Sequence, residues 1–183
     1  MTVVRATGMP RAWRLGLWGS LLLAGACSGP SGDAAGVLSE EGIGPLRVGL
    51  SFERAERLAA RLAPPALYSG PGCAGLQEIR YDIRLGNAPV GLMAMGEDGR
   101  ISEVEATLLA PTRAASQRAC AELRDDFAQP FVARFGPYAR EWQIDKPVST
   151  ELLARAGPVV VAARWFETGQ TCYVSARFGA RPD

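Results

Sequence analysis

The stretch "LQEIRYDIRL", Leu76 to Leu85, leaves this chain little choice of backbone. Ile79, Tyr81, Ile83 and Leu85 fall on one side of an extended strand; Glu78, Arg80, Asp82 and Arg84 fall on the other. A helix would scatter those residues around its circumference. The strand needs one dry face and one wet face, and its neighbours supply the pairing. "GNAP" turns it back, "VGLMAMG" continues as a second strand, and "EDGR" puts the favoured Asp98-Gly99 pair at a hairpin tip. In "ISEVEATLL", Val104, Ala106 and Leu108 oppose Glu103, Glu105 and Thr107, with Ile101 out of phase. An antiparallel meander of three strands with one solvated face is predicted.

Helical spacing flanks the meander. In "SFERAERLAARLAPP", Ser51 is a plausible N-cap, Phe52, Ala55, Leu58, Ala59 and Leu62 form a stripe, and Pro64-Pro65 end the run. Arg54, Arg57 and Arg61 share the opposite face, which is a solvated surface or, read functionally, an anion or headgroup site. A second helix is expected after Thr112 as its cap. Cys120, Leu123, Phe127 and Phe131 form its stripe, Pro130 should kink or split it, and Gly136-Pro137 end it. Asp125-Asp126 reads as a solvated turn of that helix. "REWQI", "GPVVVAARWF" and "TCYVSARF" read as strands, the last two joined by "ETGQ". The fold class is α+β: an antiparallel sheet with helices packed on one face. The order suggests two α-β-β-β repeats, 43–110 and 111–183.

The N-terminus reads as an address. Arg5, Arg11 and Arg14 precede twelve uncharged residues, Leu15 to Ala26. That layout is a secretory signal peptide, and the run is shorter than the roughly 20 residues needed to span a bilayer. Translation from Met9 instead of Met1 would give a shorter basic segment, "MPRAWR". The run ends in "LAGAC", which resembles the bacterial lipobox. The resemblance implies cleavage after Ala26 and lipidation of Cys27, although Ala24 stands where leucine is usual. Each buried CH₂ of an acyl chain adds about 0.8 kcal/mol of membrane affinity, so several chains hold firmly. The expected organisation is a signal peptide over 1–26, lipidated Cys27 with a flexible tether over 27–42, and an α+β domain over 43–183. Ser28 after the cysteine, by similarity to Gram-negative lipoproteins, implies the outer membrane, with the domain facing the periplasm.

Two stretches carry a wider resemblance. "GIGPLRVGLSFERAERLAARL" resembles the "GIGPLRxGMTLxEAxxxL" opening of uncharacterised bacterial secreted and lipid-anchored proteins. There a cysteine and an "MxxxDGRIxxVE"-like strand pair follow; here Cys73 and "MGEDGRISEVE" stand in that order. "VGLSFERAERL" is similar to the start of the SmpA/BamE-like domain, a small α+β lipoprotein fold of outer-membrane assembly. The tandem helix-plus-sheet layout is similar to that of the β-lactamase-inhibitor protein. These resemblances imply a fold and an address, and carry no functional residues.

The chemistry is bounded by absences in the sequence. The chain has no histidine, which removes Ser-His and Cys-His nucleophile activation and histidine metal ligation. "GPGCAG" lacks the Lys-Ser/Thr of a phosphate loop. Beyond residue 26, the 20 basic residues less three leave 17 against 19 acidic, a net of −2, so no basic face points to nucleic acid. No cofactor or metal is implied. Glu103 and Glu105 share one side of a strand, as a carboxylate pair in a hydrolase would, or as a solvated strand face balanced by Arg80 and Arg84. If Cys27 carries lipid, Cys73, Cys120 and Cys172 remain, in a compartment where disulfides persist. Cys120 and Cys172 both sit on core-facing positions and are the expected bond; Cys73 with either is the alternative. Trp142 and Trp165 read as packing residues or as an exposed partner site. The leading expectation is a non-enzymatic, lipid-anchored envelope protein that binds an envelope partner through the exposed sheet face. The alternatives are a secreted inhibitor of a hydrolase and a carboxylate-based hydrolase using Glu103 and Glu105.

Overall fold

A computed structural model describes residues 37–62 and 68–179. The signal segment, Cys27, the tether up to residue 36 and the Pro64-Pro65 helix stop lie outside the described residues. The described residues are mostly antiparallel sheet with two α-helices, an α+β architecture.

Three two-residue strands open it: β1 (Leu38–Ser39), β2 (Gly42–Ile43) and β3 (Leu46–Arg47), paired in that order as a small sheet. Pairing thus begins at Leu38, five residues before the expected domain start, because Ile43 and Leu46 bury completely and draw β1 alongside. Helix α1 (Phe52–Leu62) follows. The Ser51 hydroxyl accepts from the Arg54 amide at 3.4 Å, the predicted cap. Phe52, Ala55 and Ala59 bury; Leu58 is half-buried and Leu62 exposed.

The main sheet contains β4 (Tyr68–Pro71), β5 (Gln77–Leu85), β6 (Ala88–Glu97), β7 (Arg100–Leu108), β9 (Arg140–Lys146), β10 (Ser149–Ala156), β11 (Val159–Phe166) and β12 (Thr171–Phe178). Its order is β4-β5-β6-β7-β12-β11-β10-β9, all pairs antiparallel, with β8 (Thr112–Arg113) also on β12. The meander is as the alternation predicts. Asp98 and Gly99 take positive φ at the β6–β7 tip, 53° and 71°, as a two-residue hairpin requires. Ile101, out of phase in sequence, is buried beside Val104 because a β-bulge opposite Met95 and Gly96 inserts an extra residue on β7.

Helix α2 (Gln117–Phe135) begins later than expected. Its cap is Ser116, whose hydroxyl accepts from the Ala119 amide at 3.2 Å; Thr112 belongs to β8. Pro130 neither splits the helix nor ends it. Its lost bond frees the Asp126 carbonyl, and Asp126 is exposed, so water can satisfy that oxygen. Cys120, Phe127, Ala128 and Phe131 bury against β11 and β12. Phe131 meets Phe127 and Phe178 with ring centroids 5.8 and 6.2 Å apart. Cys120 and Cys172 are joined in a disulfide with Cα atoms 5.6 Å apart, tying α2 to β12; Cys73 is free and exposed in a single 3-10 turn.

Strands β4, β8 and β10 have no counterpart in the sequence reading, so the first half contributes four strands to the main sheet and the second five, counting the two-residue β8, where three each were expected. "STELLARA" favours helix by composition, but β9 and β11 pair it on both edges.

Candidate functional site

The sheet register assigns a side chain to each face. Residues from α1, α2, the small sheet and one face of the main sheet form one core: Phe52, Ile79, Leu92, Val104, Phe131, Val161 and Phe178 among them. The other face is outer. One row across it runs Arg80, Met93, Glu105, Arg177, Val160 and Arg155; the next runs Asp82, Gly91, Thr107, Ser175, Ala162 and Leu153.

At the middle of this outer face, where β7, β12 and β11 meet, lies a depression of about 470 Å³. Glu103, Glu105 and Thr107 enter it from β7, Tyr173, Ser175 and Arg177 from β12, and Ala162, Arg164 and Phe166 from β11; Met95 and Glu151 close its ends. Phe166 and Tyr173 meet edge to face at 5.6 Å, and Tyr173 is 47% exposed. The predicted carboxylate pair is therefore together in a concavity.

Its charges fall into two sets. Glu151, 6% exposed, accepts from Arg164 and lies 2.8 Å from Lys146 Nζ. Burial pushes its carboxyl up, but the hydrogen bonds from Lys146 and Arg164 outweigh burial and hold it below the usual carboxylate range. Glu103, Glu105 and Arg177 form the second set. Burial raises the Glu103 carboxyl, Arg177 lowers it, Glu105 raises it again, and the net displacement is upward. The balancing cation is Arg177. Arg80 and Arg84, expected to balance this pair, do otherwise: Arg80 pairs with Glu78, and Arg84 donates to the Asn87 carbonyl at 2.7 Å. Arg177 Nε is buried with no hydrogen-bond partner, and Arg177 is in no ion pair, among the described residues.

Beside the depression, Leu153, Val160 and Ala162 form a small apolar cluster on the outer face, covered by Trp142 and Ile144. Arg140 stands 5.0 Å over the Trp142 ring. Trp165 faces the core and donates from Nε1 to the Ala114 carbonyl at 3.0 Å, so the two tryptophans serve opposite faces.

Other polar residues are structural. Glu78, on the outer side of β5, is only 2% exposed because Gly72 of the preceding loop lies directly on its carboxylate. Asp126 is exposed and the Asp125 side chain is 47% exposed, and Asp125 also accepts two side-chain hydrogen bonds. Buried Arg124 donates to Asp125 and Glu141, at 2.9 and 2.7 Å, and the Tyr138 hydroxyl donates to Asp125 at 3.0 Å. Arg124 also lies 5.4 Å over the Tyr138 ring. Spacing within the helix could not show this set, because Tyr138 and Glu141 lie beyond its end. Among the described residues no group of three or more Cys, Asp or Glu is placed to hold a metal ion, and no helix is long and apolar enough to cross a membrane.

No family model matches this chain, and no curated protein matches it. Among solved structures, it is similar to a DUF4309 family protein (YjgB) from Bacillus subtilis subsp. subtilis str. 168, at 14% identity and a TM-score of 0.35, over 80% of this chain and 90% of that one.

Proposed function

We propose that this is a non-enzymatic, lipid-anchored protein of the bacterial cell envelope that binds another envelope protein through the outer face of its sheet. The observation that carries the binding reading is the depression between β7, β12 and β11. It holds a guanidinium whose buried Nε has no acceptor, beside two carboxylates and an aromatic pair of half-buried Phe166 and exposed Tyr173. A buried donor without an acceptor costs about 1–3 kcal/mol. Aromatic and arginine side chains in a shallow concavity are the usual anchors of a protein interface. The apolar cluster under Trp142 and Ile144 extends the same surface.

The address rests on "LAGAC" with Cys27, the small-residue tether behind it and the resemblance of the opening to envelope lipoproteins. Ser28, by similarity to Gram-negative lipoproteins, supports an outer-membrane anchor with the domain in the periplasm if the cell is Gram-negative. Globomycin, which blocks lipoprotein signal cleavage, should make the precursor accumulate. Absence of accumulation would favour the secreted hydrolase inhibitor.

We also read the chain as two repeats with the helices on one face of the sheet. Each helix precedes four strands of the main sheet, and β7 and β12, the last long strand of each half, meet at its centre.

The binding test is a charge exchange. Glu105→Arg or Arg177→Glu should each weaken capture of the partner from intact cells about tenfold or more. Binding that is indifferent to both would end this reading. One observation favours a second reading, a carboxylate hydrolase: Glu103 is biased toward its protonated form beside Glu105 in a concavity. A hydrolytic activity lost in both Glu103→Gln and Glu105→Gln, with folding intact, would replace the binding reading.

A further inference from the structure

Helix α1 and the small sheet enclose a second groove of about 430 Å³, which shares no residue with the depression. Its apolar lining includes Val37, Leu58 and Leu62; Val37 is 53% exposed and Leu62 40%. Arg47, Arg54 and Arg61 stand around it, all exposed, and no acidic residue lines it. Of the three helix arginines grouped by sequence, Arg57 differs: it pairs with Glu53 one turn earlier. Arg47, Arg54 and Arg61 make no ion pair among the described residues, Arg47 reaching only the Gly44 carbonyl at 3.3 Å. The groove is thus apolar at its floor and cationic at its rim.

The route of the chain says what it faces. Val37 lines the groove and is ten residues from Cys27, a span of at most about 35 Å when fully extended. The described chain therefore begins at the groove, so a lipid on Cys27 would tether the domain from this side. We infer that the groove docks the domain on an anionic lipid surface, with Arg47, Arg54 and Arg61 meeting phosphate-bearing headgroups and Leu62 and Val37 entering the apolar boundary. The inference rests on the proposed Cys27 anchor. An arginine near an anionic surface raises binding about fivefold, so three of them add a salt-sensitive attraction to the lipid chains.

The test is arginine footprinting by mass spectrometry on the full lipidated chain reconstituted in vesicles. One set is zwitterionic, and the other contains about 30 mol% phosphatidylglycerol. Arg118, exposed on α2, is the internal reference. Labelling of Arg54 and Arg61 relative to Arg118 should fall about fivefold or more on anionic vesicles at about 0.05 M salt and recover at about 0.5 M. Leu62→Glu, a change at an exposed position, should restore labelling at low salt. Equal labelling on both vesicle types overturns the docking surface. So does protection that is the same in detergent, which would mean that the chain covers its own groove. Protection that grows with protein density on zwitterionic vesicles overturns it in favour of a second copy. Acyl mass on Cys27, read from the same digests, reports the anchor separately. An acylated Cys27 with unprotected arginines leaves the anchor standing without the surface. A bare Cys27 removes the anchor, and the same footprint with the chain added to preformed anionic vesicles then decides the surface alone.

Discussion

Arg177 on β12 and Glu151 on β10 sit two strands apart on the outer face and behave oppositely. Glu151 is buried and satisfied; Arg177 is partly buried and is not. Glu151→Gln keeps the shape and removes the charge that Lys146 and Arg164 surround, so about 2 kcal/mol of stability should be lost in urea denaturation at neutral pH. Because the folded carboxyl titrates below its unfolded value, its contribution is full above the unfolded pKa and fades as pH falls through the folded one. The difference between wild type and Glu151→Gln should therefore shrink in acid. Glu103 carries the opposite sign. Its folded pKa is raised, so its ionised form costs stability above the ordinary carboxylate range. Glu103→Gln should leave stability at neutral pH unchanged or slightly higher, by up to about 1 kcal/mol in the same experiment. The sequence shows that Glu103 and Glu105 share a side, since alternation alone dictates it. Arg177 as their counter-charge is invisible there, because β12 reaches β7 only through pairing between strands distant in sequence. The burial of Glu78 under Gly72 and the Arg124–Asp125–Tyr138 contacts are hidden for another reason: they depend on how a loop folds back on its neighbouring element, which periodicity does not encode.

At the scale of elements, local signals succeed where one face of a strand or helix must be dry. Ile79 through Leu85, the Asp98-Gly99 turn and the Phe127–Phe131 stripe are read directly. They fail where pairing overrides propensity. "STELLARA" has the composition of a helix and becomes β10, held between two strands. The phase slip at Ile101 marks a bulge, a signal present in the sequence but with no register to interpret it. Pro130 is the converse case, a helix breaker that α2 tolerates because packing of Phe127 and Phe131 holds the helix on both sides. Pro130→Ala would restore the missing amide. A gain of about 1–2 kcal/mol is expected, reduced by the added freedom of the unfolded chain, and thermal unfolding would register it.

Among the described residues the nine-stranded main sheet has the core on one face and a charged, partly apolar surface on the other. The Cys120–Cys172 bond closes a loop across a separation of 52 residues and joins α2 to the central strand β12. Replacing both cysteines by alanine should lower stability by about 4 kcal/mol, from the loop closure lost. Since β12 carries Arg177, Ser175 and Tyr173, the same bond steadies the outer face from behind. That face is the central claim, and site-specific photo-crosslinking in intact cells tests it most directly. A photoreactive residue at Tyr173 should trap one discrete protein adduct that disappears with Arg177→Glu. The same probe at Arg118, on the outside of α2, should trap none. Adducts from Arg118 alone, or adducts at Tyr173 that survive the Arg177 reversal, would contradict it.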